Sequence, residues 1–119
     1  MRHGLPALLI TLMLSWPSDA ADQSGTWQGP GAISCVSFVE QREAHHDNAF
    51  RWWMFGWIAA HNKLLDNTYA LIADEESFDQ AIIWIDVFCR AHPGQTFVDA
   101  AVALTDIELY PKRVTAKPH

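Results

Sequence analysis

The sequence predicts an all-α fold: a small four-helix bundle with one disulfide, preceded by a cleaved signal peptide. Three observations carry the prediction. Apolar residues recur at i, i+3 and i+4 in separate runs beyond residue 34, and no run alternates as a strand would. Helix signals punctuate those runs, with Ser34, Asp74 and Thr96 at starts and Pro93-Gly94 and Pro111 at stops. The two cysteines, Cys35 and Cys89, fall in different runs. A chain of 119 residues, half of them hydrophobic and 18% charged, has room for one globular domain.

Residues 1–20 have the layout of an export signal: a basic start (Met1, Arg2, His3), an apolar stretch Leu5–Trp16, and a small-residue end at Pro17-Ser18-Asp19-Ala20. As a helix the apolar stretch reaches only about 18 Å, short of the ~30 Å hydrocarbon core, so it is expected to be removed after Ala20 rather than to stay as a membrane anchor. No membrane insertion is expected after cleavage. In the oxidising compartment that export implies, Cys35 and Cys89 are expected to pair, closing a loop of about 55 residues for about 4 kcal/mol of stability.

Residues 21–33, with Gly25, Gly29, Pro30 and Gly31 among polar neighbours, read as a flexible arm that carries Trp27. The helical domain is assigned to 34–110. Ser34 caps a first short helix whose pattern Cys35, Phe38, Val39, Arg42 ends near Glu43, with Glu40 and Arg42 reaching water. Asp47 or Asn48 caps the second, Ala49 to Lys63, which is apolar on nearly every side and is therefore expected at the centre of the bundle. Gly56 in its middle is expected to let another helix approach closely. Asp66-Asn67-Thr68 begins a loop that tucks Tyr69, Leu71 and Ile72 against the core.

Asp74, Glu75 and Glu76 open the third helix, which places Phe78, Ile82, Ile85 and Cys89 on one face and Ala81, Trp84 and Phe88 on the next. Thr96 and Asp99 form a capping-box start to the fourth, running through Val98, Ala101, Val102, Leu104 and Ile107 to Pro111. Residues 111–119 form a polar tail.

No residue pattern here calls for catalysis, a metal or another cofactor. Asp74, Glu75, Glu76 and Asp79 suit a solvated helix start, and His45, His46 and His61 lack the i, i+4 pairing of a metal-binding helix. His92 sits where it complements a helix C-terminus. Ser24, Ser34, Ser37 and Ser77 have no nucleophile-elbow context, and Gly25 to Gly31 lacks the strand and lysine of a phosphate cradle. Eight Lys+Arg against fourteen Asp+Glu, a net charge of −6, exclude nucleic acid as a partner. Six Trp and six Phe exclude disorder. The unusual feature is Trp52, Trp53 and Trp57 on one helix, more indole than a small bundle buries. Core packing is the first explanation; the alternative is that part of this helix forms a protein-binding surface, where Trp is enriched as an anchor, and a homodimer interface would satisfy both.

The segments Cys35-Val36-Ser37-Phe38-Val39-Glu40, Trp52-Trp53-Met54 and Trp84 to Pro93 together resemble the HdeA/HdeB family of small periplasmic acid-stress chaperones over roughly residues 34–104. The resemblance implies an all-α domain with a Cys35–Cys89 disulfide, a periplasmic location, frequent dimerisation and acid-triggered capture of protein clients. Between pH 7 and pH 2 the chain beyond Ala20 swings from −6 to about +12, which would loosen a bundle that a disulfide keeps together. Gly56 to Asn62 and His92-Pro93-Gly94 also resemble the Rap/Tai-type immunity proteins of type VI secretion. That resemblance implies the alternative, an inhibitor of a single cognate toxin.

Overall fold

The computed structural model describes residues 29–117. Residues 1–20, expected to form the export signal, the expected arm as far as Gln28, and Pro118 and His119 lie outside the described residues. A 3-10 turn at Pro30–Ala32 leads into α1 (Cys35–Glu43), α2 (Asn48–Leu64), α3 (Glu75–Ala91) and α4 (Phe97–Leu104). Beyond α4 the chain widens into a π turn at Thr105–Leu109 and tightens into a 3-10 turn at Tyr110–Lys112. Among the described residues there is no strand, only two isolated antiparallel bridges, Ser34 with Thr96 and Ala70 with Val114.

Three helices start where a short polar side chain can accept an otherwise unpaired backbone N–H. Ser34 accepts from Ser37, and Asp74 accepts from Ser77. Thr96 and Asp99 satisfy each other's backbone N–H groups at 3.2 and 3.0 Å. Such caps contribute about 1 kcal/mol each. α2 is the exception: Asp47 occupies the cap position without a capping hydrogen bond, following a turn in which His45 takes φ 59°.

The core forms where these helices meet. Phe38 of α1, Phe50 of α2 and Phe97 of α4 gather with centroids 4.8 to 5.0 Å apart. Met54, Ile82, Ile85, Ala100, Ala101 and Leu104 close around them. Cys35, at the first turn of α1, and Cys89, near the end of α3, are disulfide-bonded with Cα atoms 4.8 Å apart, and both are fully buried. Where α1 and α4 begin, the chain runs beside itself: Cys35 donates its N–H to Gln95 and Phe97 donates to Ile33. The turn at Pro30–Ala32 is therefore held against the bundle, with Gly31 so close to the Trp53 indole that an added Cβ would meet the ring at 2.8 Å.

Several expectations are corrected. α2 is not the central helix: it buries a single line, Phe50, Met54 and Ile58, and leaves Trp52, Phe55 and Leu64 exposed, whereas α3 buries Phe78, Ala81, Ile82, Ile85 and Cys89. The reason is geometric, since α1, α3 and α4 already enclose the core and α2 only lids it. Gly56 meets nothing within 4 Å and so does not receive a helix of this domain. Arg42 is half-buried against α3 rather than in water, with Nε 3.8 Å from the Asp86 carboxylate. Tyr69 is exposed, while Leu71 is buried and is tied by its N–H to the Asn62 side chain.

The fourth helix does not stay α-helical to Pro111. Thr105 donates its hydroxyl to the Ala101 carbonyl one turn back, a bond that disturbs a helix, and Pro111 brings no N–H of its own. Its core contributions are Phe97, Ala100, Ala101 and Leu104, and Val102 and Ile107 face solvent. The tail is tied down as far as Val114, which exchanges backbone hydrogen bonds with Ala70. Arg113 bonds the Asn67 carbonyl, and its guanidinium lies 3.9 Å above the Tyr110 ring centroid.

Candidate functional site

Trp52, Gly56, Ala60 and Leu64 recur at steps of four along α2, and Trp53, Trp57 and His61 do the same in the next row, which puts both rows on one side of the helix. They line a groove of about 580 Å³. Its walls differ in kind. One is fixed: Trp53 and Trp57 stack at 5.3 Å, and the ladder continues onto His61, whose ring lies 4.2 Å from that of Trp57. Trp53 is set edge-on to Phe97 of the core at 5.5 Å. Trp57 donates its indole N–H to the Thr105 hydroxyl at 2.9 Å, and His61 Nδ1 lies 2.8 Å from the Trp57 carbonyl.

The other wall is free. Trp52 is 73% exposed and Leu64 is 77% exposed, one at each end of the groove. Between them Gly56 and Ala60 expose backbone and methyl, leaving a notch between large side chains. Charge is confined to the ends. Arg51 is engaged by Asp79 at 2.6 Å and lies over the Phe78 ring, and exposed Lys63 stands at the far end. The groove therefore offers apolar area, ring edges and one imidazole. It is suited to an apolar segment of another chain, with aromatic anchors already ordered on one side.

Of the tryptophans singled out from the sequence, Trp52 is displayed and Trp53 and Trp57 are half-buried as the fixed wall. Thr105 is the partner that sequence reasoning missed. It is the one buried polar residue among the described hydrophobic and polar core positions, and no local pattern connects it with an indole 48 residues earlier. A second ladder was legible in the spacing but not singled out: Trp84, Phe88 and His92, at i, i+4 and i+8 on α3, stack in order, with His92 Nδ1 2.9 Å from the Phe88 carbonyl.

The acidic residues serve the fold. Asp86 pairs with Arg42 and Arg90, and Arg90 reaches Glu43 at 2.9 Å, so α1 and α3 are joined by charge next to the disulfide. Glu43 first and Asp86 second hold the Arg90 guanidinium above its ordinary pKa. Asp74 is held below the ordinary aspartate value by the hydrogen bonds from Ser77. His45 and His46 stand in the turn between α1 and α2, away from His61, and among the described residues no three His, Cys, Asp or Glu side chains gather as a metal site. No described helix is long and apolar enough to cross a membrane. No family model, no curated protein and no solved structure matches the chain.

Proposed function

We propose that this is a non-catalytic, exported protein-binding protein that uses the α2 groove to hold apolar segments of other chains, in the manner of a periplasmic acid-stress chaperone. The groove itself carries the reading. About three quarters of Trp52 and of Leu64 stands in solvent beside a stacked, hydrogen-bonded wall of indoles, and exposed apolar surface of that kind marks a place where another chain binds. A buried disulfide supports an oxidising compartment.

The charge arrangement supports acid activation. Asp79 pairs with Arg51 between α3 and α2, and Asp86 with Arg42 and Glu43 with Arg90 between α3 and α1, so neutralising these carboxylates removes the ion pairs between the helices. Arg42, Arg51 and Arg90 stay positive and are left without partners. The disulfide limits how far α1 and α3 can part, so acid enlarges the apolar surface without releasing a random chain.

The test is suppression of client aggregation by the oxidised protein at pH 7 and near pH 2, with an acid-sensitive enzyme as client. Suppression is expected at the acid end. Trp52→Ser with Leu64→Ser should weaken it by about tenfold or more while leaving the fold at pH 7 intact, because both side chains are exposed. A protein that stays folded and inert at pH 2 would refute the chaperone reading. A single tight partner bound one-to-one at neutral pH would instead establish a specific inhibitor.

A further inference from the structure

Acidic side chains are spread along the chain but spare α2. Fourteen Asp and Glu give the protein a net charge of −6, yet none lies between Asn48 and Leu64. Acids stand just outside the helix, at Asp47 and Asp66, and cations stand within it, at Arg51 and Lys63. Arg51 is engaged by Asp79, whereas Lys63 has no carboxylate partner among the described residues. An anionic surface therefore repels most of the molecule and is met by α2.

From Trp52 to Leu64 every exposed residue of α2 other than Lys63 is apolar. Trp52, Phe55 and Leu64 are 73%, 47% and 77% exposed, with only glycine and alanine between the bulky side chains of that face. The face carries no amide, hydroxyl or carboxylate side chain with which to read a particular protein partner. Its indole and its ammonium are instead the groups that settle at a membrane–water boundary, the indole with an apolar ring and a polar N–H, the ammonium at the end of an apolar stem. The face spans about 18 Å at ~1.5 Å per residue, and no described helix is long and apolar enough to cross a bilayer. We propose that α2 docks flat on a bilayer that bears anionic phospholipid, with Trp52, Phe55 and Leu64 below the headgroups and Lys63 among the phosphates. This does not rest on the client reading, although lipid and client would compete for Trp52 and Leu64.

Co-sedimentation of the oxidised protein with vesicles at pH 7 tests the docking, in about 0.15 M salt so that acids more than ~8 Å from the lipid are screened. Partitioning is expected onto phosphatidylcholine mixed with phosphatidylglycerol, and about fivefold more weakly onto phosphatidylcholine alone, the weight of one lysine beside an anionic surface. Lys63→Gln should bring the two surfaces level. Trp52→Ser with Leu64→Ser should weaken binding to either surface by about tenfold or more, at unchanged circular dichroism. Lipids brominated in the acyl chain should quench the part of the emission that Trp52→Phe removes. No partitioning onto the mixed vesicles, equal partitioning onto both, or partitioning that survives the double substitution overturns the docking. Suppression of aggregation at pH 2 without vesicle binding at pH 7 leaves the chaperone reading standing and this one fallen, and vesicle binding without suppression does the reverse.

Discussion

Thr105 does two things with one hydroxyl: it donates to the Ala101 carbonyl and accepts the Trp57 indole N–H. The second bond keeps the wall of the groove upright. Thr105→Val keeps the shape and removes the acceptor, stranding an indole N–H in a half-buried place. It should cost about 1–2 kcal/mol, read as a lower urea midpoint at unchanged m-value, with Thr105→Ser close to wild type. Residue-scale chemistry of this kind was partly legible. Ser34 and Thr96 announced themselves as caps because a cap acts within three residues of itself, whereas Asp74 read only as one of three acids at a helix start. Thr105 did not, because its partner is on another helix.

At the scale of elements, the helix starts are set by side chains that differ in their response to acid. The backbone N–H of Ser77, and then its side chain, hold Asp74 below the ordinary value of 3.8. A carboxylate depressed in the folded state stabilises it above the unfolded value, and that stabilisation is lost as pH falls through the lower folded value. The start of α3 should therefore weaken below about pH 3.8 and not above it. Asp74→Asn caps without titrating. Its stability profile should run parallel to wild type above pH 5 and fall less steeply below pH 3.8, checked by circular dichroism during thermal melts at each pH. The face of α3 was legible because its apolar residues form a stripe. α2 was misplaced for the opposite reason: an element apolar on all sides does not say which side is inside. That is decided by which neighbours have already filled the core. The end of α4 was misjudged because a π turn depends on Thr105 and on Pro111 together, and the Ala70–Val114 pairing because it joins segments 44 residues apart through backbone alone.

For the whole molecule, all-helical architecture and the Cys35–Cys89 bond were both legible, while the surface that α2 turns outward was legible only as an excess of indole. The disulfide joins the two helices that also share the Arg42, Glu43, Asp86 and Arg90 charges. Cys35→Ala with Cys89→Ala should lower stability by about 4 kcal/mol at neutral pH, measured by urea unfolding, and should turn any compact acid form into an expanded one, measured by small-angle scattering. The stacked ladder of α2 also has a photophysical side. The Trp57 ring lies 5.3 Å from that of Trp53 and 4.2 Å from that of His61, so the two indoles stand close enough to pass excitation between them. Their emission should therefore be depolarised even where the rings are held still, and Trp53→Phe should restore part of the polarisation with every helix in place.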